Sequence, residues 1–99
     1  MKKVKFKKYN CVLSVSKYTE GGGKALMLLD EETGEPIAKC TVNLPEEKIS
    51  KDEAFIKDYG ENSGMLKALV EAQAVEDLGE TVSLRYPTHT VDYQKVRIL

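Results

Sequence analysis

The stretch FIKDYGENSGMLKALVEAQAVEDL, Phe55 to Leu78, decides how the chain is to be read. An apolar, strand-like start passes through a polar turn built on Asn62, Ser63 and Gly64 into the one clear helical pattern. Met65, Leu66, Leu69, Val70 and Ala72 recur at the three-and-four spacing of a helix with one buried side, while Lys67 and Glu71 fall on the other. That face needs a partner, and the sequence predicts that it packs on a sheet through Leu66, Leu69 and Val70. Asn62 is placed to cap the helix, with Asp58 and Glu61 bringing negative charge to the positive end of its dipole. The end is less sharply marked. A glycine near position 73 would close the helix in a left-handed cap, but Gln73 stands there and the next glycine is Gly79, so the pattern allows the helix to run to Asp77.

Outside this stretch the periodicity is that of strands. Val4 and Phe6 alternate with Lys3, Lys5 and Lys7, after which Tyr9, Cys11, Leu13 and Val15 share a side; a hairpin turn with Asn10 in a left-handed conformation accounts for the change of phase. The lysines form a basic face, either a phosphate-binding stripe or a solvated edge strand. The second reading is preferred because nothing downstream extends the stripe. Gly21, Gly22 and Gly23 connect to Lys24–Asp30, apolar on both sides and the candidate central strand. The triple glycine lacks the lysine, the hydroxyl residue and the following helix of a phosphate loop. After a turn containing Gly34, a strand is expected from Pro36 through Ala38, Cys40 and Val42 to Leu44. Glu46 to Glu53 reads as a charged loop, Ala54 to Ile56 as a short strand, and Thr81 to Tyr86 and Val91 to Leu99 as the closing strands. The fold class expected is α+β: an antiparallel, meander-like sheet of five to seven strands with one main helix on one face.

Ninety-nine residues form a single domain, 1–99, which at this size buries roughly 60 to 70% of its unfolded surface. No apolar run approaches the roughly 18 residues of a membrane span, and the basic N-terminus leads into alternation, not into a signal peptide's apolar core, so a cytoplasmic protein without membrane association is expected. A net charge of −1 argues against a general nucleic-acid binder and against a strongly acidic nucleic-acid mimic. Cys11 and Cys40 sit in strands and read as small buried hydrophobes. With His89 the lone histidine, no zinc constellation or Cys–His nucleophile can be assembled, and no cofactor is expected.

The candidate binding residues are Asn43, Lys57, Asp58, Tyr59, Glu61 and Asn62, polar groups gathered about two strand ends and the start of the helix, where backbone N–H groups can receive an anion. The alternative is that the asparagines cap and turn while Lys57 and Asp58 pair on the surface. An enzyme would need an acid, a base and an electrophile converging in a pocket, and no motif assigns those roles.

The tract TVNLPEEKISKDEAFIKDYGENSGMLKALVEAQAVED, residues 41–77, resembles an uncharacterised domain family of small proteins carried by phages and conjugative elements of gut bacteria. Its members show an Asn-Leu-Pro step, a FIKDY or FIKDW strand, an EN.GM turn and an L.ALVEAG helix; the Y.C.L.VSKY and TGEPIA segments match less specifically. The chain departs from the pattern at Gln73, where the family has a glycine, and beyond Thr81. The resemblance implies a shared fold and brings no catalytic residues. Consistent with it is the expectation of a non-enzymatic binding or accessory protein of a mobile element, monomer or homodimer, whose partner is a host protein or a small anionic ligand, with defence evasion as one role. The competing expectation is a small hydrolase or transferase acting through Asp58, Glu61 and Lys57.

Overall fold

Buried residues at every second position set the register of the first strands. The computed structural model describes residues 2–20 and 23–99, so Gly21 and Gly22 of the glycine connection lie outside the described residues. Strands β1 (Lys3–Phe6), β2 (Tyr9–Lys17), β3 (Lys24–Asp30) and β4 (Pro36–Lys39) form one antiparallel sheet in that order. Val4 lies opposite Cys11, and both are buried. A slip of one residue would turn these side chains outward, so the core itself specifies the pairing. That pairing sets Phe6 opposite Tyr9 and leaves Lys7 and Lys8 as the turn. Lys7, with φ 54°, takes the left-handed conformation expected of Asn10, which instead pairs with Lys5 within the strands.

The expected strand from Pro36 to Leu44 divides at Cys40. Its N–H donates to the Leu26 carbonyl at 2.9 Å, and its carbonyl accepts from the Lys57 N–H at 2.8 Å, so one peptide segment is tied to both halves of the molecule. Beyond it, β5 (Thr41–Val42) opens a second antiparallel sheet with β6 (Glu53–Ile56), β7 (Val75–Arg85) and β8 (Thr90–Ile98), ordered β5-β6-β8-β7. The fold is therefore α+β and mostly antiparallel, but the described residues form two sheets of four strands, not one of five to seven. The physical reason is coverage. A single broad sheet would leave most of an apolar face to one short helix, whereas two layers bury Leu26, Leu28, Ile56 and Val96 in a common core. Cys11 and Cys40 are free thiols in that core, and burial pushes the Cys40 thiol up to about 12.

Helix α1 (Met65–Glu71) packs against β1 and β7. Met65 and Leu69 are fully buried, with Leu66, Ala68 and Ala72 packed beside them. Val70, expected on this face, is 40% exposed, since it sits about 100° of helix round from Leu69. The helix begins differently from the expectation as well. Gly64, at φ 93°, is the N-cap, and the side chain that serves the start belongs to Asp58: its Oδ1 accepts from the N–H groups of Gly64 at 2.7 Å and Met65 at 2.9 Å. The helix stops at Glu71, well short of Asp77, because Gln73 adopts φ 57° without being a glycine. The Gln73 N–H donates to Val70 and the Ala74 N–H to Leu69, both at 3.0 Å, which is the paired hydrogen-bond pattern of a left-handed helix stop.

The chain then enters β7 at Val75, earlier than the expected Thr81, and pairs with β8. Leu78 and Gly79 have no partner on β8, and Gly79 takes φ 73° at this bulge. Strand β8, last in sequence, is interior to its sheet, between β6 and β7. No helix among the described residues is long and apolar enough to cross a membrane.

Candidate functional site

Two edges of the first sheet come close to one another across the segment that follows β6. Lys57 leaves β6, the chain makes a 3-10 turn at Gly60–Asn62, and this turn bridges the β1–β2 hairpin to β4. Asn62, 6% exposed, is the anchor: its Nδ2 donates to the carbonyls of Lys39 at 2.6 Å and Lys57 at 3.2 Å. From the other side the Lys7 ammonium donates to the Glu61 carbonyl at 2.7 Å. A buried asparagine whose donors were left unpaired would cost about 1–3 kcal/mol, so these bonds hold the turn in place.

Between the three elements lies an open cleft of about 600 Å³. The hairpin contributes Phe6, Lys7, Lys8 and Tyr9, strand β4 contributes Ile37, Ala38 and Lys39, and the bridging segment contributes Lys57, Glu61 and Asn62. Its charge is lopsided: four lysines against one glutamate, in a protein whose net charge is −1. Four bases elsewhere find acids. Lys3 pairs with Glu31, Lys67 with Glu71, Lys95 with Glu53 and Glu80, and Arg97 with Glu76. Among the described residues, none of the cleft lysines makes an ion pair. Each ammonium instead rests near an aromatic ring: Lys7 at 5.2 Å from Phe6, Lys8 at 5.7 Å from Tyr9, Lys39 at 5.9 Å from Tyr18 and Lys57 at 5.6 Å from Tyr59. Such a contact holds a cation with about 0.5–1 kcal/mol at an exposed site and leaves its charge unneutralised.

Of the residues singled out from sequence, Lys57, Glu61 and Asn62 line this cleft. The other three are placed elsewhere. Asp58 is committed to the start of α1, its Oδ1 taken by two backbone N–H groups, and makes no surface pair with Lys57. Asn43 donates to the Glu20 carbonyl at 3.2 Å and borders a separate recess of only about 10 Å³, room for no more than a water. Tyr59 packs edge-on against Tyr93, ring centroids 6.0 Å apart, with the two hydroxyls at 3.3 Å. The Tyr86 hydroxyl approaches Tyr93 from another side at 3.4 Å. Burial, then these two hydroxyls, push the Tyr93 phenol above its ordinary range, so it remains protonated. Asp58, Glu61 and Lys57 thus do not form a converging acid, base and electrophile set: two face the cleft and the third holds a helix.

Lys8, Tyr9, Ile37, Ala38 and Lys39 were not among the sequence candidates. A trace of them was visible in the lysine alternation of β1, where a phosphate-binding stripe was the weaker expectation for want of an extension. Of that stripe only Lys7 lines the cleft, where it is joined by Lys8 and by Lys39 and Lys57, distant in sequence and brought there by the fold. No protein-family model, no curated protein and no solved structure matches the chain.

Proposed function

We propose that the protein is a non-enzymatic binder of a small, multiply charged anion, phosphate-bearing in its simplest form, held in the cleft between the β1–β2 hairpin, β4 and the Gly60–Asn62 turn. The observation that supports this is the gathering of four lysines against one glutamate about a single concave site, none of the four held by a carboxylate among the described residues. Like charges gathered at a concave site repel one another, and an anion entering it relieves that repulsion and gains charge-assisted hydrogen bonds. Lysine suits a phosphate as a mobile point charge with three donors. An accessory role in a mobile element, in the cytoplasm of its host, accords with the resemblance of residues 41–77.

The experiment is isothermal titration of the purified chain with inorganic triphosphate, beside the double variant Lys39→Glu/Lys57→Glu. Two lost contacts to charged groups, each worth about 1.5–3 kcal/mol, lower the affinity by roughly 100-fold or more. Both side chains project from the surface of the cleft, so the circular dichroism spectrum should be unchanged. Equal binding by parent and double variant would remove the cleft from consideration.

A further inference from the structure

We infer that the anion is the phosphate portion of a free nucleotide, whose base stacks on the exposed face of Tyr9. This rests on the anion-binding reading of the cleft and adds the class of ligand. Three features of the cleft go beyond what a bare phosphate requires. The first is size, since about 600 Å³ falls within the roughly 300–1,000 Å³ of pockets that enclose organic ligands. The second is the division of its lining. Beside the lysines stand Tyr9, Ile37 and Ala38, apolar and aromatic surface that does nothing for an inorganic ion and suits a planar ring. Tyr9 shares the strand phase of buried Cys11 and Leu13 yet is 38% exposed, standing where the hairpin turns at Lys7 and Lys8. The Lys8 ammonium lies 5.7 Å from the centroid of that ring, which puts a cation and a stacking face one side chain apart, as the phosphate and base of one nucleotide are.

The third feature is the free edge of β4. Ile37 falls in a register shift and stands opposite no residue of β3. The Cys40 N–H is turned toward β3, so the alternation of an antiparallel ladder turns the Lys39 N–H away from it, to the side on which the Lys39 carbonyl receives Asn62. Backbone hydrogen-bonding groups at a strand edge are suited to the donor and acceptor edge of a base, and bulges recur beside binding sites.

Charge decides between a free nucleotide and a strand of nucleic acid. Just beyond Lys8 and Tyr9 the surface carries Asp30, Glu31 and Glu32, and Lys3 on the same hairpin is already paired with Glu31. A polynucleotide leaving the cleft past Tyr9 would carry its next phosphates into these carboxylates, whereas a single nucleotide ends before them.

The test is isothermal titration of the full chain with inorganic triphosphate, ATP, UTP and a ten-nucleotide oligothymidylate, for the parent, Tyr9→Ala and Tyr9→Phe. Base stacking on an aromatic side chain makes ATP bind roughly 5- to 150-fold more tightly than triphosphate, with UTP between them. Tyr9→Ala should abolish that ratio, with a circular dichroism spectrum like the parent's showing that the variant is folded; Tyr9→Phe should keep the ratio. Equal binding of ATP and triphosphate, or a ratio unchanged in Tyr9→Ala, overturns the nucleotide assignment and leaves the anion cleft standing. Tighter binding of the oligonucleotide than of ATP overturns the choice of a free nucleotide. Absence of binding by every phosphate compound overturns the cleft reading itself and this inference with it.

Discussion

Gln73 carries a conformation that its side chain does not favour. At φ 57° its Cβ crowds the following carbonyl, a cost of about 1–2 kcal/mol for an ordinary L-residue. The helix stops there because the two hydrogen bonds from Gln73 and Ala74, and the burial of Ala74 and Val75 just beyond, outweigh that cost. The sequence located the right position, where a glycine would be natural, and then misjudged the outcome, since a missing glycine makes a left-handed stop dearer without preventing it. Gln73→Gly should therefore raise the unfolding free energy by up to about 1 kcal/mol, the relief of the left-handed strain less the greater backbone entropy that glycine loses on folding. Urea denaturation, read as a shift of midpoint at constant slope, measures it. A lower midpoint would mean that the glutamine side chain itself supports the stop. Asn62 teaches a related lesson. It was legible as a residue with a structural task, but the task proved to be bridging the Lys39 and Lys57 carbonyls, which depends on contacts no local pattern contains.

At the scale of elements, the clearest periodicities were also the most faithful. The β1 alternation, the two-sided apolarity of β3 and the burial of Ala54, Phe55 and Ile56 are all present as the sequence predicts. The segment Pro36–Val42 was not divisible by inspection, since its alternation runs through Cys40 without interruption. What divides it is competition between partners, Leu26 on one side and Lys57 on the other. Helix α1 is likewise visible as an amphipathic run, but its seven residues are too few to hold helical structure unaided, so its stability is that of its buried face. Leu69, with no exposed surface, is the centre of that face. Leu69→Ala should cost roughly 2 to 5 kcal/mol, from lost transfer energy together with the cavity left between α1 and the sheets. A chain of this length has a total stability of about 5–15 kcal/mol, so the variant should melt far below the parent in a thermal scan. Val70→Ala, on the exposed side of the same helix, is the control and should change stability by about 0.5 kcal/mol or less.

The whole molecule joins these two levels, because the cleft belongs to no single element. Lys7 and Lys8 come from a turn, Lys39 from an edge strand and Lys57 from the exit of an interior strand, and the fold alone makes them neighbours. Net charge concealed them, since 16 acidic residues set against 15 basic ones give a chain that looks electrically neutral. The arrangement has a thermodynamic consequence that needs no knowledge of the natural ligand. An anion that binds the folded cleft, and finds no such cluster in the unfolded chain, stabilises the fold by about 2.7 kcal/mol at a concentration one hundred times its Kd. For a domain of this size each kcal/mol raises Tm by about 4–8 °C, so saturating triphosphate should raise it by about 10–20 °C. Chloride at matched ionic strength serves as the control for general screening, which acts on all surface charge within about 10 Å and should move Tm much less. The variant Lys39→Glu/Lys57→Glu should lose the triphosphate shift. By contrast Lys3→Glu/Lys67→Glu makes the same change in net charge at positions outside the cleft, both already ion-paired, and should retain it. Equal shifts in the two double variants would assign the effect to overall charge and not to the cleft, because only a localised site can distinguish lysines by their position.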